Sequence, residues 1–535
     1  AGDAAEFSGL RSVFEPAGEG RKQWCALGSV KSQIGHTKAA AGAAGLFKAV
    51  MALHHKVLPP TIKVAAPNPE LNIDDSPFYL PTRPRPWIRG GDHPRRASVS
   101  SFGFGGSNFH VTIEEYSGPG TRPARTRALP SELVVLSAAD EAALVARCRE
   151  LAGEASAAAD DSTFRALAET SQRSFDAGAA QRLAVVASGG ADLAAKLTAA
   201  GEALAAGNDP SGPDTVHGAG APETGKVAFL FPGQGSQYVD MGADLAVAFD
   251  AARQVWDAAA DLDEFADAPL HKTVFPPTVF TDAGRAAQQA AVTAMEVAQP
   301  GIAAVSLSQL ALLNGLGLKP DAVAGHSFGE VTALHAAGVF GRDETLAIAR
   351  TRGLLMRDAA HGTDGAMTAV SAAKDAVAQL VVDESLDLVL ANDNSPKQVI
   401  LSGRTAEIER AEQVLAGAGM AFRRLPVATA FHSPVVSDSA EPFAQALKKL
   451  PVTAPALPVY ADATAEPYPA TAAAIRDHLA GQLAQPVRFR EIVEALHADG
   501  VRLFVEVGPG AVLTGLVGQC LKDKPHAAVA LDRKG

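Results

Sequence analysis

Asp321-Ala-Val-Ala-Gly-His-Ser-Phe-Gly-Glu330 decides how the rest of the chain is read. Ala322–Ala324 is a short apolar run that reads as the end of a buried strand, and Glu330 onward reads as helix. Between them, Gly325-His326-Ser327-Phe328-Gly329 has the G-x-S-x-G spacing of a nucleophile elbow. Glycines two residues either side of a serine permit a strained turn that lifts the hydroxyl clear of a sheet. The helix N-terminus behind it offers backbone N–H groups and a positive dipole end where an oxyanion would form. An ordinary strand-to-helix turn with an incidental serine carries the same letters, so the remainder of the sequence has to arbitrate.

The bulk composition narrows the function classes. A length of 535 residues points to roughly three or four domains. Hydrophobic content of 47% against 20% charged residues is globular and sufficient for large cores. The formal net charge of −12, with no Lys/Arg run, argues against a nucleic-acid partner. Cys25, Cys148 and Cys520 are far apart and show neither metal nor disulfide spacing, which fits a reducing cytoplasm and no metal site. No apolar stretch is long enough to span a bilayer, and no signal peptide opens the chain, so no membrane partner is expected. The chain starts at Ala1 in mid-pattern and reads as a piece of something longer.

Three blocks follow from the punctuation. In residues 1–116, Val30-Lys-Ser-Gln-Ile-Gly-His-Thr37 precedes a small-residue helix, Ala39–Leu53, in which Gly42 and Gly45 allow close packing. Leu58-Pro-Pro-Thr61 and Pro67-Asn-Pro-Glu70 come next, and Ser101-Phe-Gly-Phe-Gly-Gly-Ser-Asn108 leads into a strand at Phe109–Glu114. Taken bare, His36 reads as a structural histidine. Residues 117–225 begin with the breaker-rich Gly118-Pro-Gly-Thr-Arg-Pro-Ala-Arg125. They continue with expected strands at Leu133–Leu136 and Leu183–Ala187 and helices at Glu141–Ala157, Thr163–Gln172 and Ala191–Ala205. Asn208–Gly225 reads as a second linker. In residues 226–535, Val227–Phe231 is a buried strand ending in Pro232-Gly-Gln-Gly-Ser-Gln237. From Met367 to Val427 the pattern predicts βαββαβ, a ferredoxin-like insert spanning about 364–427. It includes a strand at Leu386–Leu390.

The motifs carry a resemblance. Lys31 with Ile34-Gly-His-Thr37, the two proline stretches and Gly103–Asn108 resemble the C-terminal half of a β-ketoacyl synthase, a thiolase-like half-domain. By that resemblance His36 assists decarboxylation and Lys31 supports it. The family's nucleophilic cysteine and first catalytic histidine have no counterpart here, so no condensing activity is expected. Residues 117–225 resemble the α/β adaptor that follows such synthases. Residues 226–535 are similar to malonyl-CoA:acyl carrier protein transacylases in five places: Gly233–Gln237, Gly325–Gly329, Arg352 in Thr351-Arg-Gly353, His432 in Thr429-Ala-Phe-His432, and Val505–Gly510. Together the blocks resemble a type I polyketide synthase. An enediyne-type parent is one variant, and the sequence leaves iterative against modular open. The implied fold is an α/β-hydrolase-like parallel-sheet core plus the ferredoxin-like subdomain.

The resemblance assigns roles residue by residue. Ser327 is the nucleophile and His432 its base, oriented by the backbone carbonyl of Gln482. The backbone N–H groups of Gln234 and Phe328 form the oxyanion hole. Arg352 pairs with the free carboxylate of a malonyl group, for which a planar guanidinium is suited. His326 and Asn394 flank the same pocket. Phe431 matches the bulky residue of malonyl-selective domains, whereas Thr429 departs from their usual histidine. The implied substrate is malonyl-CoA, the acceptor is the phosphopantetheine thiol of an acyl carrier protein, and no cofactor is permanently bound. The upstream half of the β-ketoacyl synthase is the other expected partner. A thioesterase-type serine hydrolase is the alternative. Such enzymes place an acid between serine and histidine in chain order and have no use for Arg352.

Overall fold

The computed structural model describes residues 2–91, 93–103, 106–120, 129–158, 160–221, 225–362, 364–427 and 429–532. Phe104 and Gly105 of the glycine-rich motif and residues 121–125 of the breaker-rich entry lie outside them. The chain forms two compact units. One is Arg122–Thr224; the other joins Ala1–Thr121 to Gly225–Gly535, so the first block and the third share a unit.

In the larger unit, the first block contributes helices Gly2–Ala17 (α1) and Ala41–His55 (α2) and an antiparallel hairpin, Arg96–Phe102 (β1) with Asn108–Glu114 (β2). Close packing of α2 on β1 uses the two glycines. A Cβ at Gly45 would meet Val99 at 2.9 Å and one at Gly42 would meet Ser101 at 3.4 Å. The outer faces leave Phe47, Phe102, Phe109 and Val111 exposed.

The smaller unit is an antiparallel sheet of Glu132–Ala138 (β3), Gln181–Ala187 (β4) and Thr215–Ala219 (β5), covered by Glu141–Ala157 (α3), Asp161–Arg173 (α4) and Gly190–Ala205 (α5). Asp140 and Asp160 cap α3 and α4 through their side chains. Strand β5 corrects the sequence reading, which took Asn208–Gly225 as linker. Five residues with Gly218 among them and Gly220 after them carry no periodic signal, and what makes them a strand is pairing along the free edge of β4.

Returning to the larger unit, Lys226–Phe231 (β6) is central to a five-stranded parallel sheet. Ala228, Phe229, Leu230 and Phe231 are all buried, the continuous apolar run of a strand covered on both faces. Helix Asp250–Asp261 (α6) and the almost wholly buried Met295–Gly315 (α7) pack in its main core. Ala322–Gly325 (β7) pairs with β6 and leads into Gly329–Ala336 (α8) and Arg342–Gly362 (α9). The insert is Ala366–Val370 (β8), Lys374–Asp383 (α10), Leu388–Ser395 (β9), Gln398–Gly403 (β10), Thr405–Gly417 (α11) and Phe422–Arg424 (β11). Its antiparallel order β9-β10-β8-β11 is ferredoxin-like. Strand β9 runs five residues beyond the expected Leu390, because Asn392 and Asp393 pair onward with β10 and with the main body. Ala440–Lys448 (α12), Val459–Tyr460 (β12), Ala472–Gly481 (α13), Phe489–Ala498 (α14), Val501–Glu506 (β13), Val512–Cys520 (α15) and Ala527–Ala530 (β14) complete the unit.

The sheet order β12-β7-β6-β13-β14 is parallel throughout. Its strands therefore all deliver their following loops to one edge. Four of these loops matter: Pro232–Gln237 after β6, the serine turn after β7, Ala461-Asp462 after β12, and Val507–Gly510 after β13. No single described helix is long and apolar enough to cross a membrane. Among the described residues, no group of three or more His, Cys, Asp or Glu side chains could hold a metal ion.

Candidate active site

Ser327 sits in the turn between β7 and α8 with φ +52°, a left-handed conformation that non-glycine residues rarely adopt. The flanking glycines are required by space. A Cβ on Gly325 would overlap the backbone of Gly329 and Glu330, and one on Gly329 would overlap the carbonyl of Phe231. The loop after β6 lies against this turn just as tightly, since a Cβ on Gly233 would overlap the His326 carbonyl and come within 3.4 Å of the Phe328 nitrogen. Gln234 and Phe328 are thereby neighbours, and their backbone N–H groups have no hydrogen-bond partner among the described residues. That is the disposition an oxyanion hole needs.

His432 comes from the loop after the insert and also has a left-handed backbone, φ +54°. Ser402 donates to the Phe431 carbonyl at 2.7 Å and Ser433 to the Ala430 carbonyl at 2.6 Å, which fixes the loop on both sides of it. The Ser327 hydroxyl and His432 Nε2 are 2.7 Å apart, and His432 Nδ1 is 2.9 Å from the Gln485 carbonyl. A carbonyl can only accept, so Nδ1 carries the proton and Nε2 is left to accept the serine proton. Burial first and the Arg352 charge second push His432 down to about 3, against the opposing pull of the Gln485 carbonyl. The ring is neutral at physiological pH and able to act as a base.

The carbonyl hydrogen-bonded to His432 Nδ1 is that of Gln485 and not the expected one of Gln482, whose backbone acts on the ring only secondarily. The Gln482 carbonyl accepts from Gln485 N–H within a 3-10 turn, while Gln485, the first residue past that turn, has an extended backbone and a carbonyl to spare. Gln485 is held in place two residues on, where Val487 bonds to Ala391 and Asp393 of β9. The side chain of Gln482 has a different use. Its amide donates to the Ser327 carbonyl at 2.8 Å and to Asp462 Oδ2 at 3.0 Å, while its oxygen accepts from Arg352 at 3.2 Å.

Arg352 on α9 is 1% exposed. Its guanidinium donates to Gln299 of α7 at 3.0 Å and to Gln482, but its Nε has no partner among the described residues. Burial lowers it to about 10, against the pull of Glu330 and Asp462, so it stays charged at neutral pH. A buried cation with unspent donors a few ångströms from the Phe328 ring suits an anionic ligand. His326 Nε2 and Asn394 Oδ1 are 2.8 Å apart, and Asn394 donates on to Gln398 at 2.9 Å. Phe431 is buried, directly before His432.

His36 and Lys31 lie elsewhere, exposed on the first block; the His36 ring accepts from the Lys38 backbone at 3.0 Å. No hydrogen bond or ion pair joins the two among the described residues. The sequence reading missed Glu330, Asp462 and Tyr468, which are buried beside Arg352. Glu330 follows the serine motif directly and could have been questioned. Asp462 and Tyr468 have no local signal, since only the parallel pairing of β12 with β7 brings that strand's end to the serine turn.

Three comparisons bear on this geometry. Residues 228–532 match the acyl transferase domain family, residues 1–65 the β-ketoacyl synthase C-terminal domain, and residues 67–182 the ketoacyl-synthetase C-terminal extension. A polyketide synthase of Streptomyces halstedii, GfsB, is 35% identical over 98% of the chain, which spans only 9% of that protein. The chain covers well under half the length of the other curated relatives too. An acyl carrier protein S-malonyltransferase of Vibrio cholerae superposes with TM-score 0.52 at 32% identity, over 58% of this chain and 97% of its own. The acyltransferase domain from the second module of the salinomycin polyketide synthase gives TM-score 0.57 at 31% identity, over 77% and 90%.

Proposed function

The chain belongs to the acyl transferase family of type I polyketide synthases, and on that premise we propose that Ser327 takes a malonyl group from malonyl-CoA and passes it to the phosphopantetheine thiol of an acyl carrier protein. The observation that carries the substrate choice is Arg352, a buried guanidinium with an unpartnered Nε beside the serine–histidine pair. A substrate carboxylate would satisfy donors that nothing among the described residues satisfies.

The reaction runs in two symmetrical halves. His432 Nε2 takes the Ser327 proton as the oxygen attacks the thioester carbonyl. The resulting oxyanion sits against the N–H groups of Gln234 and Phe328. Collapse expels the CoA thiolate, which receives the proton from His432, leaving malonyl-Ser327. The carrier thiol then gives its proton to His432, attacks the ester and departs as the malonyl thioester, with the proton returned to Ser327. The Gln485 carbonyl stabilises the imidazolium formed midway in each half. A hydrolase reading finds less support, because the imidazole is oriented by a carbonyl and no acid stands in that place.

On this reading the protein works in the cytoplasm. The rest of a β-ketoacyl synthase covers the exposed Phe47, Phe102, Phe109 and Val111. The test is to incubate the protein with malonyl-CoA and weigh it intact. Wild type should gain one malonyl group and Ser327→Ala none. Attachment persisting in the variant would remove Ser327 as nucleophile.

A further inference from the structure

Behind the strained serine lies a cluster that the mechanism above does not use. Glu330 and Asp462 are both 0% exposed, and Tyr468 is 7% exposed. The Asp462 backbone N–H donates to Glu330 Oε1 at 3.4 Å, and the two carboxyl groups are within hydrogen-bonding reach of each other. Yet Glu330 Oε2 and Asp462 Oδ1 have no donor within hydrogen-bond distance among the described residues, although the Tyr468 hydroxyl helps to hold the Glu330 carboxyl. Two neighbouring carboxyl groups in a sealed interior, each with an oxygen short of a donor, are best satisfied by one proton shared between them. On its other oxygen, Asp462 accepts from the Gln482 amide at 3.0 Å. The backbone N–H of Ser327 also supports the Asp462 carboxyl. The carbonyl of the strained serine is thus held by Gln482, which Asp462 in turn holds.

We propose that Asp462 is a positioning residue acting as a neutral carboxylic acid, its hydroxyl donating to Glu330 and its other oxygen fixing the Gln482 amide so that the Gln482 oxygen stays on Arg352. An amide free to turn over would present its NH2 to the guanidinium, donor against donor, and Arg352 would lose its seat. Charge balance supports the same assignment. With the shared proton on Asp462, Glu330 alone balances the Arg352 charge. Were Asp462 ionised as well, one uncompensated negative charge would stand where an anionic substrate has to bind. Burial and the neighbouring Glu330 charge both hold the Asp462 proton on.

The inference rests on the malonyl reading for its kinetic test, though not for its spectroscopic one. Asparagine reproduces the shape and hydrogen bonds of a neutral aspartic acid, whereas leucine reproduces only its size. Loading rates on Ser327 from malonyl-CoA and acetyl-CoA are compared in Asp462→Asn and Asp462→Leu. Asp462→Leu should lower the malonyl-to-acetyl ratio about tenfold or more, and Asp462→Asn should recover all but about threefold of it. If Asp462→Leu does not fold, Gln482→Met should show the same selective loss. In the difference infrared spectrum of substrate-free protein, Asp462→Asn should lack a protonated-carboxyl band that wild type has. An absent band in wild type, an Asp462→Asn variant as impaired as a folded Asp462→Leu, or an unchanged ratio in folded Asp462→Leu would each overturn the proposal. Wild type that takes no malonyl group at all would instead sink the malonyl reading, and the infrared band would still decide the state of Asp462.

Discussion

Arg352 and His432 show how burial sets chemistry one side chain at a time. Removing the guanidinium in Arg352→Ala takes away charge-assisted hydrogen bonds that contribute roughly 1.5–3 kcal/mol each, so malonyl loading should fall about a hundredfold. Acetyl-CoA has no carboxylate and should load as before; the ratio of the two rates is the measurement, and an equal loss for both would make Arg352 a pocket support. His432, lowered to about 3, is neutral across the physiological range. An exposed imidazole base would give a rate rising through about pH 6.5. Loading here should be level from about pH 5 to 8 and decline only on approaching 3, read from single-turnover rates on pre-equilibrated protein. The same depression acts on folding, with a defined sign. The folded state binds this proton less readily than the unfolded chain, so the contribution is complete above about 6.5 and drains away as pH falls toward 3. Ser327, His432 and Arg352 were readable in the sequence because each stands inside a short motif. Gln485 was not, since which of two nearby carbonyls is free depends on a 3-10 turn that no spacing announces.

Among the elements, the turn from β7 to α8 has the least room. Gly329 lies so close to the Phe231 carbonyl that even a methyl group cannot be seated without moving β6 or α8. Gly329→Ala should therefore destabilise the protein by about 1–3 kcal/mol through overpacking and pull Gln234 away from Phe328. Chemical denaturation and the loading rate should fall together, and a fully stable, fully active variant would show that the turn can relax. The ferredoxin-like insert was legible because its strands and helices alternate with clear periods between Met367 and Val427. Its attachment was not. Buried Asp393 on β9 meets Arg490 of α14 at 2.9 Å and Lys374 at 3.6 Å, a junction made by residues far apart in sequence. Strand β5 was hidden for a related reason, being too short to have a period and existing only as an edge partner of β4.

Across the molecule, the larger unit is assembled from two stretches of chain joined by buried charge. Arg95, on the first stretch, is 5% exposed and reaches Glu115 at 3.0 Å and Asp257 of α6 at 2.6 Å. Lys56 meets Glu115 at 2.7 Å, and Arg85 donates to the Phe275 carbonyl. Burial alone would raise Glu115, but Lys56 and Arg95 bring it down to about 2. Taking Arg95 out leaves Glu115 with Lys56 and Asp257 with Arg253, so Arg95→Met should cost about 1–3 kcal/mol, less than when a buried charge is left wholly unpaired. Urea denaturation measures it, and a cost below about 1 kcal/mol would mean those remaining partners suffice. The spacing of that bond has a consequence for the newborn chain. Arg95 and Asp257 are 162 residues apart, so at roughly 5–20 residues per second some 8–30 s of ribosome time separate them. Throughout that interval the Arg95 guanidinium has Glu115 beside it but lacks its distant acceptor. The whole of the smaller unit is translated meanwhile, so the first stretch has to wait for a partner that lies beyond another folding unit.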